Sequence, residues 1–315
     1  MKLSLVVPVY RNEESITALI AACKAIDRRL EGDFEVVFVV DGSPDGSLRL
    51  LQQGLSDGGL QAQILTLSRN FGSFAAIMAG LEHGTGSLFA VMAADLQEPP
   101  ELILEFRDKL LSEHHDVVVG RRVGRDDPAL ARLGSAVFWW LYRALVQPEM
   151  PPGGIDVFAC SRHFRDHLLS LRERNSTLVG LVFWLGFSRG EVAYRRAVRV
   201  HGSSAWSFGK RIRYLLDSSF AFSDLPIRLL SVVGAGGMLA AIALAGVVVV
   251  ARITGGIPVP GYAATVLTVM FFGGLNAFGL GLLGEYVWRT FENSKNRPGY
   301  LVASREEFAK RNQVP

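Results

Sequence analysis

Cysteine is scarce in this chain: Cys23 and Cys160 are the only two, and neither belongs to a spacing that ligates metal. A disulfide framework and a cysteine-built metal centre are therefore excluded, and two buried, reduced thiols are expected. An excess of charge is lacking too. The balance of 33 Lys and Arg against 30 Asp and Glu leaves +3, too little for a nucleic-acid footprint, so no nucleic acid is expected as a partner. No secretory leader is visible: the apolar run 3–9 is too short for a signal core, contains Pro8, and is followed at once by Arg11, Glu13 and Glu14. It reads as a strand.

Ionisable residues are absent from two long apolar runs, 229–251 and 263–284. Each is long enough to cross a hydrocarbon layer of about 30 Å, which takes about 20 helical residues. A buried core helix of that length would carry a polar stripe. Two transmembrane helices are therefore expected, at 229–251 and 263–285 within a region spanning 228–289. An even number of spans returns the tail, 290–315, to the side of the N-terminal portion. Arg289, Lys295 and Arg297 follow the second span, whereas the connector 252–262 holds only Arg252. That asymmetry predicts a multi-pass protein of the inner (cytoplasmic) membrane, with cytosolic N-terminal portion and tail. Gly237, Ala241 and Ala245 recur at four-residue spacing, as do Gly273, Ala277 and Gly281. Such faces permit close helix approach, within a hairpin or between protomers of a homo-oligomer.

The first 120 residues alternate between two periods. Runs 3–7, 35–40, 63–67, 88–92 and 116–120 are short and rich in β-formers, and helical patterns lie between several of them. The clearest helix puts Ile16, Leu19, Ile20, Cys23 and Ile26 on one face. This alternation predicts right-handed βαβ units and a mostly parallel sheet covered on both faces. Ligands of such sheets bind beyond the carboxyl ends of the strands. The residues there are Pro8 and Tyr10, then Asp41-Gly42-Ser43, Ser68-Arg69-Asn70, Asp95-Leu96-Gln97 and Arg121-Arg122. A lone Asp-Gly is a turn; five polar strand ends on one rim point to a ligand site. Two further stretches, 129–146 and 206–222, mix basic and aromatic residues with apolar ones, a pattern that suits either packing on the sheet or contact with membrane lipids.

Several blocks occur in one order along almost the whole chain: VVPVYRNEESI at 6–16, VVDGSPDGS at 39–47, LSRNFGSFAAIMAGL at 67–81, ADLQEPPELI at 94–103, GGIDVFACSR at 153–162, RRAVRVHGSSAWSFGKRI at 195–212 and GEYVWRTFENSKNRPGYLV at 284–302. On these the chain resembles the family 2 glycosyltransferases of the GT-A fold. Within that family it looks like a polyprenyl-phosphate glycosyltransferase, similar to dolichyl-phosphate mannose synthase with an added two-helix anchor. The resemblance implies an α/β GT-A nucleotide-sugar domain over 1–205 with a mostly parallel central sheet, an amphipathic juxtamembrane segment over 206–227, and the transmembrane hairpin. It also implies inverting transfer of a sugar from a nucleotide-sugar to undecaprenyl or dolichyl phosphate at the cytosolic face, in making cell-envelope glycans. UDP-glucose is the donor it favours.

The resemblance carries residue roles as well. Asp95 and Gln97 match the positions that hold Mg²⁺ or Mn²⁺, whose preference for hard oxygen ligands suits them. Arg122, Arg132 and Arg199 match cations that hold the acceptor phosphate. Pro8, Tyr10 and Asp41 match the nucleoside lining, and Asp156 matches an acid at the mouth shared by donor and acceptor. This chain departs from the family pattern at Val40 and Ala93, where relatives carry carboxylates, at Arg11-Asn12, and at Ala205. The lost carboxylates leave a second reading, a catalytically weakened nucleotide-sugar domain acting as a membrane scaffold. A processive polysaccharide synthase is excluded by the absence of a Gln-x-x-Arg-Trp motif and of further spans.

Overall fold

A computed structural model describes residues 1–123, 138–144, 146–151, 154–171, 173, 176–196, 208–254 and 261–310. The expected site residues Arg132 and Arg199 lie outside the described residues, and Asp156 is described in its backbone only. Four strand and helix pairs open the chain: β1 (Leu3–Val9) and α1 (Ile16–Arg29), β2 (Phe34–Val40) and α2 (Ser47–Leu55), β3 (Ala62–Leu67) and α3 (Ser73–His83), β4 (Leu88–Val91) and α4 (Glu101–Ser112). There follow β5 (Val117–Arg122), a helix α5 described over 138–144, β6 (Ile155–Ser161), α6 (Arg162–Ser170), α7 (Leu178–Trp184) and β7 (Arg189–Tyr194). The C-terminal third holds α8 (Phe208–Phe222), α9 (Leu225–Ile253), α10 (Tyr262–Ser294) and β8 (Val302–Phe308).

The eight strands among the described residues form one sheet in the order β7-β5-β6-β4-β1-β2-β3-β8. Only β6 and β8 run against the others, so the sheet is mostly parallel, as the alternation of periods implied. β2 is buried along its whole length and β1 along nearly all of it, which explains why their sequences are near-continuous apolar runs, broken only by Ser4 and Glu35, rather than alternating ones. Pro8 is tolerated in the central strand β1 for a geometric reason. Val6 accepts from Met92 and Val9 from Asp41, so even-numbered residues face β4; Pro8 lies past the last β4 pairing, Val6 with Val91, and its missing N–H removes no ladder bond.

Both faces are covered. Ile16 and Leu19 of α1, Leu51 of α2 and Leu102 of α4 share one apolar cluster with Leu5 and Val7 of the sheet. Ala76 of α3, Tyr142 of α5, Phe164 of α6 and Leu181 of α7 share the other with Val6 and Val39. Each fully buried Leu or Phe contributes about 1.5–3 kcal/mol relative to exposure. The two thiols are free and buried, and burial pushes Cys23 up to about 12 and Cys160 up as well, so neither is a reactive thiolate at neutral pH.

Helices α9 and α10 contain segments long and apolar enough to cross a membrane, Leu225–Ala243 with mean hydropathy 1.8 and Thr268–Ser294 with mean hydropathy 1.2. Their large apolar side chains point outward, among them Val232, Leu239, Ile242, Val269, Phe271 and Phe278. A soluble core helix would bury them. The two helices touch at Gly237, which lies beside Phe272, and at Gly279, which lies beside Leu230; Gly273 and Gly281, on the small-residue face of the sequence, meet nothing across the pair among the described residues. Helix α8 packs against its neighbours on both sides. Tyr214 stacks on Tyr142 with ring centroids 5.8 Å apart, and the Asp217 carboxylate pairs with Arg289 of α10 at 2.7 Å.

The segment after α10 is not a free tail. β8 adds antiparallel to β3, from Ala62 opposite Phe308 to Leu67 opposite Val302. Side chains reinforce the pairing: Gln52 Nε2 donates to Glu306 at 2.8 Å, Lys310 Nζ to the buried Asp27 at 2.6 Å, and the Tyr300 hydroxyl to Glu82.

Candidate active site

The carboxyl ends of β1 to β5 and β7 share one rim, and antiparallel β6 starts there, with Ile155 opposite Arg121. The structure therefore brings Pro8, Tyr10, Asp41, Asp95, Gln97 and Arg122 to a common edge, with the Asp156 backbone beside them. Gly154, just before β6, has φ +72°, and a Cβ there would lie 2.2 Å from the Trp139 ring, so both backbone and space call for glycine at this corner.

The loops after β1 and β2 are knitted together. The Arg11 N–H donates to Ser43 Oγ at 2.7 Å, Ser43 Oγ to Asp45 at 2.6 Å, and the Glu13 N–H to Asp45 at 3.1 Å; the Gly46 N–H returns a bond to Glu13 at 2.9 Å. Burial opposes ionisation of Asp45, but hydrogen bonds from Ser43, Ser47 and the Glu13 N–H outweigh it and hold the carboxyl below its usual range. Arg11 is held at φ +55°, a costly conformation for a non-glycine residue, with its guanidinium 5.4 Å from the centre of the Tyr10 ring. Tyr10 itself is 40% exposed, its ring available to a flat partner.

Asp41 is 2% exposed, and its two oxygens accept from the Phe71 N–H at 2.7 Å and the Gly72 N–H at 2.8 Å. It thereby fixes the loop between β3 and α3. Gly42, at φ +59°, lets that loop lie close, since a Cβ would sit 2.5 Å from the Arg69 and Asn70 backbone. Arg69 lies over the Phe71 ring at 4.0 Å. Val40 is buried in the cluster of Ile16, Leu19 and Leu51.

Past β4, the Ser15 hydroxyl donates to the Ala94 carbonyl at 2.9 Å, tying the start of α1 to the turn that carries Asp95. Leu96 has φ +53°, and this left-handed residue turns the chain between half-buried Asp95 and buried Gln97. The Gln97 N–H approaches Asp95 Oδ1 at 3.4 Å. Among the described residues no three His, Cys, Asp or Glu side chains cluster as a complete metal cage. Asp95 and Gln97 do carry side-chain oxygens two residues apart, the hard donor type that Mg²⁺ or Mn²⁺ takes.

Two residues of the rim had no role in the sequence reading. Glu98 is 1% exposed and lies 3.7 Å from Arg196 Nε, and burial pushes its carboxyl above the usual range against the pull of Arg196. Arg122 bonds the Tyr194 hydroxyl, whose pKa burial and the Glu98 charge push up. The signal for Glu98 was its place in the ADLQEPPELI block; that for Arg196 was hidden in a run of basic residues.

Residues 4–166 match the family model described as Glycosyl transferase family 2. An uncharacterized glycosyltransferase, sll0501, of Synechocystis is 32% identical over 96% of this chain and 95% of its own length. A bactoprenol glucosyl transferase of Shigella phage SfX is 31% identical over 97% of this chain and all of its own. Among solved structures, glucosyl-3-phosphoglycerate synthase from Mycobacterium tuberculosis, in complex with Mn²⁺, UDP-glucose and phosphoglyceric acid, is 16% identical over 68% of this chain and 77% of its own, with a TM-score of 0.47. With the family model matched across more than half of its length and relatives matched nearly end to end, this chain belongs to glycosyl transferase family 2.

Proposed function

We propose that this chain transfers a sugar, glucose from UDP-glucose being the favoured donor, to the phosphate of a polyprenyl lipid, undecaprenyl or dolichyl, with inversion at the anomeric carbon. The observation that carries this reading is the end-to-end match to a bactoprenol glucosyl transferase, which includes both apolar helices as well as the sheet. A lipid acceptor gives those helices a purpose.

In this reading the nucleoside lies against Tyr10 and Pro8, and Asp41 serves it by fixing the loop of Arg69 to Gly72. Asp95 and Gln97 hold Mg²⁺ or Mn²⁺ together with donor phosphate oxygens. Such an ion, when bound, neutralises charge developing on the leaving nucleoside diphosphate. A lipid phosphate, with a second pKa of about 6, is largely a dianion at neutral pH and needs little help from a base. It needs cations that bring it near the donor, the work assigned to Arg122, Arg132 and Arg199, with Asp156 at the shared mouth. Because β8 belongs to the same sheet as β1, the chain between them must cross a bilayer an even number of times. The basic residues that follow α10 favour the cytosol as that shared side.

The test is purified full-length protein in lipid nanodiscs with undecaprenyl phosphate, Mn²⁺ and radiolabelled nucleotide-sugars. Lipid-linked sugar is expected from UDP-glucose, falling about 100-fold in Asp95→Asn. No lipid product from any common nucleotide-sugar refutes the enzyme and leaves the scaffold reading, which titration with UDP then examines, since a scaffold need bind none. Unchanged turnover in Asp95→Asn removes the metal role.

A further inference from the structure

Glu98, to which the reaction outlined above gives no role, sits among charged groups of the rim. It follows Gln97 in the turn after β4, and Pro99 and Pro100 lock the chain behind it before α4 begins. Neither carboxylate oxygen accepts a hydrogen bond from another of the described residues, although the group is almost wholly buried. A carboxylate out of water without such bonds is costly, and a hydrophobic residue of similar volume would serve the core as well or better. Something other than packing accounts for it. The groups that face it are Arg196 at 3.7 Å, Asp95 on its own turn, Arg122 from β5 and Tyr194 from β7. Arg122 and Tyr194 are opposite one another at the last paired position of β5 and β7. Arg196 stands two residues beyond that point, with its side chain 28% exposed.

We infer that Glu98 is a positioning residue, and that its buried carboxylate holds the Arg196 guanidinium on the rim beside Arg122 as a further cation for the acceptor phosphate. The inference rests on the lipid-phosphate reading above. An untethered arginine at a strand end samples many rotamers and forfeits that freedom when it binds; one steered from behind by a fixed anion loses less. The anion also opposes the phosphate electrostatically, so the two effects have opposite signs. If charge alone mattered, neutralising Glu98 would tighten phosphate binding. If positioning dominates, it weakens binding, and the experiment reads that sign.

Full-length protein in nanodiscs is titrated with farnesyl phosphate, a short polyprenyl monophosphate, and separately with farnesol and UDP. Glu98→Gln and Arg196→Gln are each expected to weaken farnesyl phosphate about tenfold, the scale on which loss of a supporting residue is felt. UDP and farnesol affinities should stay within about twofold, and the double variant should bind no more weakly than the weaker single one. Unchanged or tighter farnesyl phosphate binding, additive losses, or an equal loss of UDP affinity each overturn the inference. Should Glu98→Gln fail to fold, Arg196→Gln and Glu98→Asp carry the same comparison, with Glu98→Asp expected to retain more affinity than Arg196→Gln. Wild-type protein that binds farnesyl phosphate selectively but transfers no sugar refutes the proposed reaction and leaves this inference to the variants. Wild-type protein that binds farnesyl phosphate no better than farnesol overturns both.

Discussion

Replacing Asp41 by Asn preserves the shape of the side chain and removes what the loop after β3 depends on. The carboxylate accepts from two backbone donors, one on each oxygen, at 2.7 and 2.8 Å, in a site 2% exposed. An amide can accept on one side only, and its NH₂ would then face the second N–H. A hydrogen bond to a charged group is worth about 1.5–3 kcal/mol, and a buried donor left unsatisfied costs about 1–3 kcal/mol more. Partial rearrangement of the loop recovers some of this, so the net loss should be about 2–4 kcal/mol, expressed as local opening. At about 1.4 kcal/mol per tenfold, the Phe71 and Gly72 amides should exchange with solvent roughly 30 to 1,000 times faster. Hydrogen exchange read by mass spectrometry on a peptide covering 68–73 measures this directly, with a β1 peptide as the internal reference. UDP affinity should fall in parallel, since the loop borders the proposed nucleoside site. Unchanged exchange in that peptide would refute the clamp, and unchanged exchange with lost UDP affinity would return Asp41 to direct contact with the base.

Three further outcomes follow from packing and charge. Gly80→Ala on α3 puts a Cβ 2.3 Å from Val6 Cγ1 and 3.1 Å from Val39 Cγ2; overpacking of about 1–3 kcal/mol should exceed the gain of about 1 kcal/mol in helix propensity, lowering the thermal midpoint. Glu35 is 1% exposed; burial opposes its charge, but bonds from Lys2, Ser4 and Thr85 prevail and hold its carboxyl below the ordinary 4.5. Because its folded pKa is depressed, its contribution to stability is complete above pH 4.5 and is lost as pH falls through the folded value, so Glu35→Gln should be less stable near neutrality and show a shallower acid loss in a pH series of melting curves. Deleting residues 300–315 removes β8 and leaves Asp27 without Lys310. The β3 amides that face β8 should lose protection and the protein should aggregate more readily through the bared edge, as light scattering would report.

The sequence by itself determined the elements whose signal is local. Strands buried on both faces are mostly apolar, so β1, β2 and β3 were legible as short runs despite Ser4, Glu35, Gln63 and Thr66; α1 declared its face through Ile16, Leu19, Ile20, Cys23 and Ile26, all of them buried. The two apolar helices announced themselves by the absence of charge. The rim was legible because parallel strands must end together, which is why Tyr10, Asp41, Asp95, Gln97 and Arg122 could be named before any fold was known. Tertiary structure alone decided what depended on partners distant in the chain. β8 reads as a charged tail, VASREEF, because an edge strand has no buried face to advertise; only its pairing with β3, far earlier in the chain, makes it a strand. Which glycines join α9 to α10 was equally open to the four-residue spacing, and the rotation of each helix selected Gly237 and Gly279 over Gly273 and Gly281. The carboxylate of Asp41 looked free to meet a ligand until the Phe71 and Gly72 amides arrived from another loop. That Glu98 is buried against Arg196 could not be read from its place in the chain. A sequence records each group's chemistry, but its neighbours, and so its task, are set by which strands the sheet lays side by side.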